Sequence, residues 1–191
     1  MDTRTRILAV TCDLMEARRG QVVSMSDIAG AAGLSRQAVY LHFGSRAELL
    51  IAAVRYMDTV HCVEDRVRAL RDASTGPAML DALVEFWGDY IPEIYGLAGA
   101  LLAVRETDDA AAAAWDDRMA VMRESCRCIV ESLQREGALA PQWERAQAID
   151  LMRSLLSIRV WDALVMESGW APGDYVRALK ATLRRTFVAE A

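Results

Sequence analysis

Apolar residues recur along this chain with the spacing of a helix, and no segment alternates with the period of two that a β-strand requires. In the first segment, the apolar face is formed by Ile7, Leu8, Thr11, Leu14 and Met15. This spacing predicts a helix over residues 3–18 that ends at Gly20. The same pattern along the rest of the chain predicts an all-α protein of about nine helices.

Three capping signals follow within a short stretch. Ser24 precedes Asp27 by three residues, Ser45 precedes Glu48 by three, and Ser35 lies between them. A serine at the N-cap accepts a hydrogen bond from the backbone of the first turn, so helices are predicted to begin near residues 24, 35 and 45. The helices that begin at 24 and 35 are too short to hold a core alone. They therefore pack on each other and on the first helix as an N-terminal three-helix domain.

Beyond residue 45 the predicted helices are longer. Pro92 cannot donate a hydrogen bond to the carbonyl of Gly88, which predicts a helix end near residue 94. The predicted spans are 45–69, 77–94, 95–105, 107–134, 142–167 and a last helix that ends near residue 187. The chain is thus divided into residues 1–47 and a larger helical domain over residues 48–191.

Residues 24–43 read S-M-S-D-I-A-G-A-A-G-L-S-R-Q-A-V-Y-L-H-F, which is a helix-turn-helix pattern. Ala29 is small where the two helices cross, and Gly33 permits a left-handed residue in the turn. Ser35 caps the second helix and leaves residues 36–38, in its first turn, facing outward. In a helix-turn-helix protein this turn meets the major groove of DNA.

This pattern and its surroundings resemble the TetR family of bacterial regulators. The resemblance covers residues 5–50 through I-L-A-V, S-M-S-D-I-A-G-A-A-G-L-S and V-Y-L-H-F-G-S-R-A-E-L-L. It implies a cytoplasmic, homodimeric repressor that binds an inverted-repeat operator and is released by a small apolar or aromatic effector. A transcriptional activator and a ligand-independent DNA-binding protein of the same fold are the alternatives.

The resemblance also implies roles for individual residues. By position, it assigns phosphate contacts to Ser24, Tyr40, His42 and Arg46, and base-edge contacts to Arg36, Gln37 and Ala38. The chemistry agrees, because arginine pairs with guanine, glutamine pairs with adenine, and an alanine methyl contacts the methyl group of thymine. The competing interpretation of Arg36 and Gln37 is a solvated helix face, and Tyr40 and His42 could instead belong to the core.

The segment 142–167 is apolar on two sides, which predicts burial on two sides. One side would face its own domain and the other a second subunit, together with the last helix. The candidate interface residues are Leu151, Leu155, Ile158, Trp161, Val165, Leu179 and Leu183. A two-fold dimer would place two recognition helices about 34 Å apart, one turn of DNA. The alternative is a large core within one chain.

Aromatic and methionine side chains gather in the middle helices and predict an effector pocket. Its candidate residues are Phe86, Trp87, Tyr90, Tyr95, Trp115, Met119 and Met122. Such a lining suits a flat or apolar small molecule. The alternative for each residue is an ordinary place in the core.

Charge and composition narrow the function further. The net charge is −5; residues 1–50 hold six arginines against five acids, and only Lys180 among the 22 basic residues is a lysine. A strongly basic surface is therefore excluded, and non-specific affinity for DNA is expected to be weak. No apolar stretch is long enough for a membrane span, and none is flanked like a signal peptide, so a cytoplasmic location is expected.

The side chains needed for catalysis or metal binding are sparse. There are four cysteines without a C-x-x-C pair and two histidines, so neither a metal site nor a cofactor is expected. No catalytic motif is present, which leaves a helical enzyme or carrier with a vestigial motif as a weak alternative. A redox switch through Cys126 and Cys128 is a third hypothesis, although residues two apart on a helix point about 200° apart.

Overall fold

The computed structural model describes residues 2–18 and 21–189, apart from the side chain of Arg71. The predicted end of the first helix at Gly20 lies outside these residues. Within them the fold is all-helical, and one antiparallel bridge pairs Leu139 with Val188. The helices are α1 (Thr3–Ala17), α2 (Met25–Ala31), α3 (Arg36–His42), α4 (Arg46–Val60), α5 (Val63–Arg66), α6 (Arg68–Asp72), α7 (Gly76–Val104), α8 (Asp109–Arg135), α9 (Arg145–Leu155), α10 (Ile158–Trp161), which runs into a π-helical segment (Asp162–Glu167), and α11 (Pro172–Phe187). No helix in this described part of the chain is long and apolar enough to cross a bilayer.

The three predicted serine caps are confirmed. The hydroxyl oxygens of Ser24, Ser35 and Ser45 each accept a hydrogen bond at 3.1 Å from the backbone amide three residues later. These bonds satisfy amides that a helix start would otherwise leave unpaired. They define where α2, α3 and α4 begin, which is why such short helices could be located from sequence.

The chain forms two compact units that do not follow the order of the sequence. Unit 1 combines the residues up to Cys62 with Glu93–Met119. Unit 2 combines Val63–Pro92 with the residues from Ala120 onward. Helices α7 and α8 each contribute to both units. The functional division at residue 47 stays a prediction.

The predicted helix end near Pro92 is wrong. α7 continues through this proline from Gly76 to Val104 as one helix. Ile91 and Leu97, on either side of it, are fully buried. Burial of apolar side chains along the whole helix outweighs the one hydrogen bond that proline cannot make.

Two other predicted helices are interrupted. The span 45–69 breaks after α4, where Cys62 has a φ of +50°, and continues as the short α5 and α6. The span 142–167 breaks at Ser157, whose ψ is 152°. Leu156 and Ile158 are buried on either side of that extended residue, so the break turns neighbouring apolar side chains into the core.

Unit 2 has a close helix crossing that depends on glycine. A Cβ atom at Gly88 of α7 would lie 2.2 Å from Cγ2 of Val176 in α11, far inside contact distance. Nearby, the rings of Trp161 and Tyr175 meet edge to face with centroids 4.9 Å apart. The crossing therefore packs at a distance that no larger residue at position 88 permits.

Ion pairs border the same crossing. Nε and one amino group of Arg184 donate to the two carboxylate oxygens of Asp81 at 2.7 and 2.6 Å. Lys180 donates to Glu85 at 2.6 Å and also lies 3.2 Å from Asp81. Burial alone raises the pKa of Asp81, but the bonds from Arg184 and Lys180 outweigh it and hold that pKa below its usual value.

Candidate nucleic-acid interface

The turn between α2 and α3 has the predicted geometry. Gly33 has a φ of +66°, in the left-handed region that favours glycine. Two consecutive amides in the turn donate back to carbonyl oxygens of α2, from Gly33 to Gly30 at 3.1 Å and from Leu34 to Ala29 at 2.9 Å. Ala29 is buried, as its small size predicts. The two helices are thus joined by a tight, hydrogen-bonded turn.

One face of α3 is fixed in the core of unit 1. Val39 is fully buried, and Phe43, which ends the helix, is nearly so. The guanidinium of Arg4 stacks over the Phe43 ring, 4.9 Å from its centroid. Because this face is buried, the opposite face of α3 is held outward in one orientation.

The outward face carries the residues predicted to contact DNA. Arg36, Gln37, Tyr40 and His42 are exposed, and Ala38 is half-buried. The Arg36 guanidinium lies 5.6 Å from the centroid of the Tyr40 ring, on the next turn of the helix. This contact restrains the arginine without using its hydrogen-bond donors, which stay available to a base edge.

Ser24 is exposed, but its hydroxyl already takes part in a capping box. It donates to Oδ2 of Asp27 at 2.5 Å and accepts from the Asp27 amide. Arg18 lies 2.9 Å from the same carboxylate. The hydrogen bonds from Ser24, with that arginine, hold the pKa of Asp27 well below its usual range. The paired arginine offsets a negative charge that would otherwise repel phosphate beside Ser24.

Arg46 has other partners than the predicted phosphate. Its guanidinium is half-buried and donates to the backbone oxygen of Val23 and to both carboxylate oxygens of Asp108. Sequence reasoning did not find Asp108, because 62 residues separate it from Arg46 and no local pattern connects them.

Comparison with known proteins identifies this arrangement. A sequence profile of the bacterial regulatory proteins of the tetR family matches residues 7–53, which contain α2, the turn and α3. The resemblance to the TetR family is therefore confirmed over this part of the chain. Members of this family are transcriptional regulators with a helix-turn-helix, not enzymes.

A curated relative supports the same assignment over part of the chain. The HTH-type transcriptional regulator AlkX of Mycobacterium tuberculosis is 40% identical over 67 residues. The matched segment spans about a third of each protein, 32% of this chain and 32% of AlkX.

Solved structures extend the likeness to the whole fold. A transcriptional regulator from Saccharomonospora viridis in complex with choline superposes with a TM-score of 0.72 at 18% identity, covering 98% of both chains. FadR from Bacillus subtilis in complex with stearoyl-CoA gives a TM-score of 0.75 at 13% identity, covering 95% of this chain and 97% of FadR. At these identities the likeness shows a shared fold.

The residues predicted to line an effector pocket divide between the two units. Unit 2 holds Phe86, Trp87, Tyr90 and Met122, and unit 1 holds Tyr95, Trp115 and Met119. Trp87, Tyr90 and Trp115 are buried, and the other four are half-buried.

Arg66 contacts two of the predicted pocket residues, and the sequence did not indicate this contact. In unit 2 the rings of Phe86 and Tyr90 stack with centroids 5.3 Å apart, and the Arg66 guanidinium lies 5.7 and 5.6 Å from them. A cation against two aromatic rings is a favourable contact. The signal was obscure because Arg66 belongs to the short α5, inside a span predicted as one long helix.

Unit 1 also contains a small cavity beside Arg46. Its volume is about 10 Å³, and Met15, Leu50 and Val104 are among its lining residues. That volume admits about one water molecule, so the cavity is too small for an effector.

The predicted dimer residues fall into two classes. Ile158, Trp161, Leu179 and Leu183 are buried within the single chain, and Leu151, Leu155 and Val165 are half-buried. The first four already have partners in the core of unit 2. The other three retain apolar surface that a second subunit can cover.

Three of the four cysteines offer little thiol chemistry. Burial raises the pKa of Cys12 and of Cys126 to about 12, and burial also raises the pKa of the half-buried Cys128. Thiolate is the reactive form, so these three thiols are poor nucleophiles at neutral pH. Within residues 2–18 and 21–189, no three His, Cys, Asp or Glu side chains gather as a metal site.

Proposed function

We propose that this TetR-family protein is a homodimeric transcriptional repressor that binds an inverted-repeat operator through α3. A small apolar or aromatic effector would stabilise a conformation with lower operator affinity. A DNA-binding regulator acts where the chromosome is, so the proposal includes the cytoplasmic location predicted from the sequence.

The observation that carries this proposal is the outward first turn of α3. Ser35 caps the helix, Val39 anchors it, and Arg36 and Gln37 extend from it into solvent. Arginine and glutamine are the side chains that pair bidentately with guanine and adenine in the major groove. Ala38 follows them and is half-buried, and its methyl group is a candidate for contact with thymine. Tyr40 and His42 remain candidates for phosphate contacts.

The net charge of −5 supports specific rather than general affinity for DNA. Affinity for any DNA comes mainly from neutralised phosphates, and this chain has few basic side chains in excess around α3. Binding should therefore depend strongly on base contacts, and affinity should fall only modestly as the salt concentration rises.

The DNA-binding proposal is tested on an operator selected from random duplexes. Arg36→Ala and Gln37→Ala should each weaken binding by about 1–3 kcal/mol, the value of one bidentate base contact, and should relax preference at one base pair. Arg135→Ala is a matched control, since it removes an exposed arginine from the last turn of α8. Unchanged affinity and unchanged base preference in both α3 variants would reject these base contacts.

An apolar or aromatic effector is supported by two observations. Trp87, Tyr90 and Trp115 supply aromatic side chains in the middle helices, and one structural relative was solved with stearoyl-CoA. Another was solved with choline, a quaternary ammonium that aromatic rings also bind. To move the protein from mostly operator-binding to mostly released, an effector must prefer the released state by about 5 kcal/mol.

Stearoyl-CoA and choline are the first probes of the effector proposal. A ligand of this kind should raise the melting temperature and displace a fluorescent operator in proportion to its occupancy. Tyr90→Ala should weaken both effects, and Val121→Ala, at an exposed position of α8, should change neither. A ligand that raises the melting temperature without displacing the operator would bind the protein without releasing it from DNA. That result would argue against repression relieved by that ligand.

A two-fold dimer is supported by the partly exposed apolar residues of unit 2. Leu151, Leu155 and Val165 lie in or after α9, and Met166 and Trp170 add exposed apolar surface. Leu155→Arg should produce monomers in analytical ultracentrifugation, because a charge cannot be buried without a partner. Operator affinity should fall with it, since one recognition helix would be lost. A wild-type monomer bound to both half-sites would contradict the proposal.

Repression and activation differ in a transcription assay on the selected operator. A repressor lowers transcript yield when added to RNA polymerase and a template with the operator at the promoter. An increase would favour the activator alternative, with the same DNA contacts retained.

A further inference from the structure

The guanidinium of Arg46 is held from two sides. Its Nε donates to the backbone oxygen of Val23 at 2.6 Å, and its two amino groups donate to the two carboxylate oxygens of Asp108 at 2.5 and 2.7 Å. The side chain of Arg46 is 20% exposed and that of Asp108 is 6% exposed. This is a bidentate, largely desolvated ion pair, the strongest geometry that arginine and a carboxylate form.

Arg46 and its two partners lie at the beginnings of three different helices. Val23 lies directly before the capping residue of α2, Arg46 is the first residue of α4, and Asp108 lies directly before α8. Oδ1 of Asp108 also accepts hydrogen bonds from the amides of Ala110 and Ala111 in the first turn of α8. All these residues belong to unit 1. One arginine therefore connects the start of the helix-turn-helix to the start of α8.

We propose that Asp108 is a positioning residue for operator binding, which acts by holding Arg46 in place between α2 and α8 rather than leaving it to contact a phosphate. The inference rests on the proposed function. A phosphate that approached Arg46 would have to displace a carboxylate with the same two-oxygen geometry and leave it buried without its partner. The charge of Arg46 is already neutralised, so it adds little to the attraction of DNA.

Two further ion pairs join α4 to α8 near the end of α4 that lies away from Arg46. Arg55 donates to Asp117 from Nε at 3.0 Å, and Arg118 donates to Asp58, so α4 is also linked to α8 near its other end. The Arg55 side chain is 61% exposed, so solvent screens that pair. The Arg46–Asp108 pair is the better shielded contact at the end of α4 nearest the recognition helix. Burial alone raises the pKa of Asp108, but Arg46 outweighs it and keeps the pKa below its usual value, so the pair is ionised at neutral pH.

The test compares Asp108→Asn, Arg46→Gln and their double variant in the full-length protein. Asparagine keeps the shape of Asp108 and can still cap α8, so the helix start is retained while the charge is lost. Operator affinity is measured by fluorescence anisotropy across a salt series, at a temperature where circular dichroism shows every variant folded. Each single variant should lose about tenfold in affinity, and the double variant should lose no more than either, because both remove one interaction. Asp65→Asn, which removes the exposed ion pair between Asp65 and Arg68, is the matched control and should stay within about twofold of wild type.

The salt series distinguishes positioning from phosphate contact. If Arg46 only positions other residues, log affinity against log salt keeps the wild-type slope in Arg46→Gln. If it contacts a phosphate, the slope becomes shallower by about 0.9. That change, or a gain in affinity in Asp108→Asn, would overturn the proposal.

Arg46→Lys gives a second comparison. Lysine keeps the charge and can bind a phosphate, but it cannot bridge the Val23 carbonyl and both oxygens of Asp108. The positioning role predicts that lysine fails to rescue affinity, and wild-type affinity in this variant would contradict it.

Operator spacing tests whether the effect is more than lost stability. Wild type should discriminate against half-sites moved closer or further apart by one base pair, and Asp108→Asn should discriminate less. An unchanged spacing preference would reduce Asp108 to a structural residue and overturn the proposal.

Gln37→Ala, measured in parallel, separates the proposed function from the inference about Asp108. If wild type shows no sequence-specific binding, the proposed function fails and this inference with it. If Gln37→Ala loses base preference but Asp108→Asn behaves as wild type, only this inference fails.

Discussion

The helix-turn-helix and unit 2 reach their order by different physical means. In α2 and α3, each helix has seven residues and depends on a capping serine and a few buried side chains. In unit 2, α11 has 16 residues and is held by packing, with Tyr175, Leu183 and Phe187 fully buried. Local hydrogen bonds specify the first region and tertiary contacts specify the second. The two regions should therefore respond differently to the same kind of mutation.

The largest expected effect is in the packed region. Phe187→Ala removes a fully buried ring that packs at a tilt against Trp143, with ring centroids 5.6 Å apart, and it should lower the free energy of unfolding by about 3–5 kcal/mol. Val121→Ala, at an exposed position, should change it by less than about 0.5 kcal/mol. Urea denaturation measures both. A small loss in Phe187→Ala would mean that packing contributes less to this region than its burial indicates.

Gly88→Ala should have the next largest effect. Its new methyl group would overlap Val176, and overpacking of this kind costs about 1–3 kcal/mol. Val176→Ala removes the overlapping atoms, so the double variant should recover stability relative to Gly88→Ala. Failure of this rescue in thermal unfolding would indicate that something other than the crossing of α7 and α11 requires glycine.

In the capped region, Ser35→Ala should lower stability by about 1 kcal/mol. It removes the hydrogen bond to the Ala38 amide that begins α3, so operator affinity should also fall as the first turn frays. Ser35→Asp keeps an acceptor at the cap and serves as the control. Wild-type stability and affinity in Ser35→Ala would show that packing alone holds α3.

The smallest effect concerns pH. The pKa of Asp81 is held below its unfolded value of about 3.9, so this group stabilises the fold above that pH and the contribution is lost as pH falls through the folded pKa. Wild type should be more stable than Asp81→Asn at pH 7, and the difference should shrink below about pH 4. Melting temperatures of both proteins between pH 3 and 7 measure it. A difference that grows in acid would contradict the assigned sign.

The same contrast explains what the sequence could predict. Ser24, Ser35 and Gly33 act on amides within a few residues, so their roles could be predicted before the structure was known. The break at Ser157 and the continuity through Pro92 depend on burial against residues far away in the chain, and local rules predicted both wrongly.

The candidate site follows the same division. The outward turn at residues 36–38 could be predicted, because it needs only a cap and an anchored opposite face. Asp108 could not be predicted as the partner of Arg46, since a contact across 62 residues leaves no periodic signal. The buried state of Trp161 and Leu183 likewise depends on the chain's own core, which the apolar pattern could not distinguish from an interface.

Lys180 is the single lysine of the chain, so its place in the ion pairs of α11 makes it a site for selective labelling. Hydrogen bonding to Glu85 raises the pKa of its amine, so acylating reagents meet one side-chain target that is protonated and engaged. Lysine acetylation in the cell has the same single target. With the α-amino group blocked first, an amine-reactive dye attached there at high pH would report from one known position on α11.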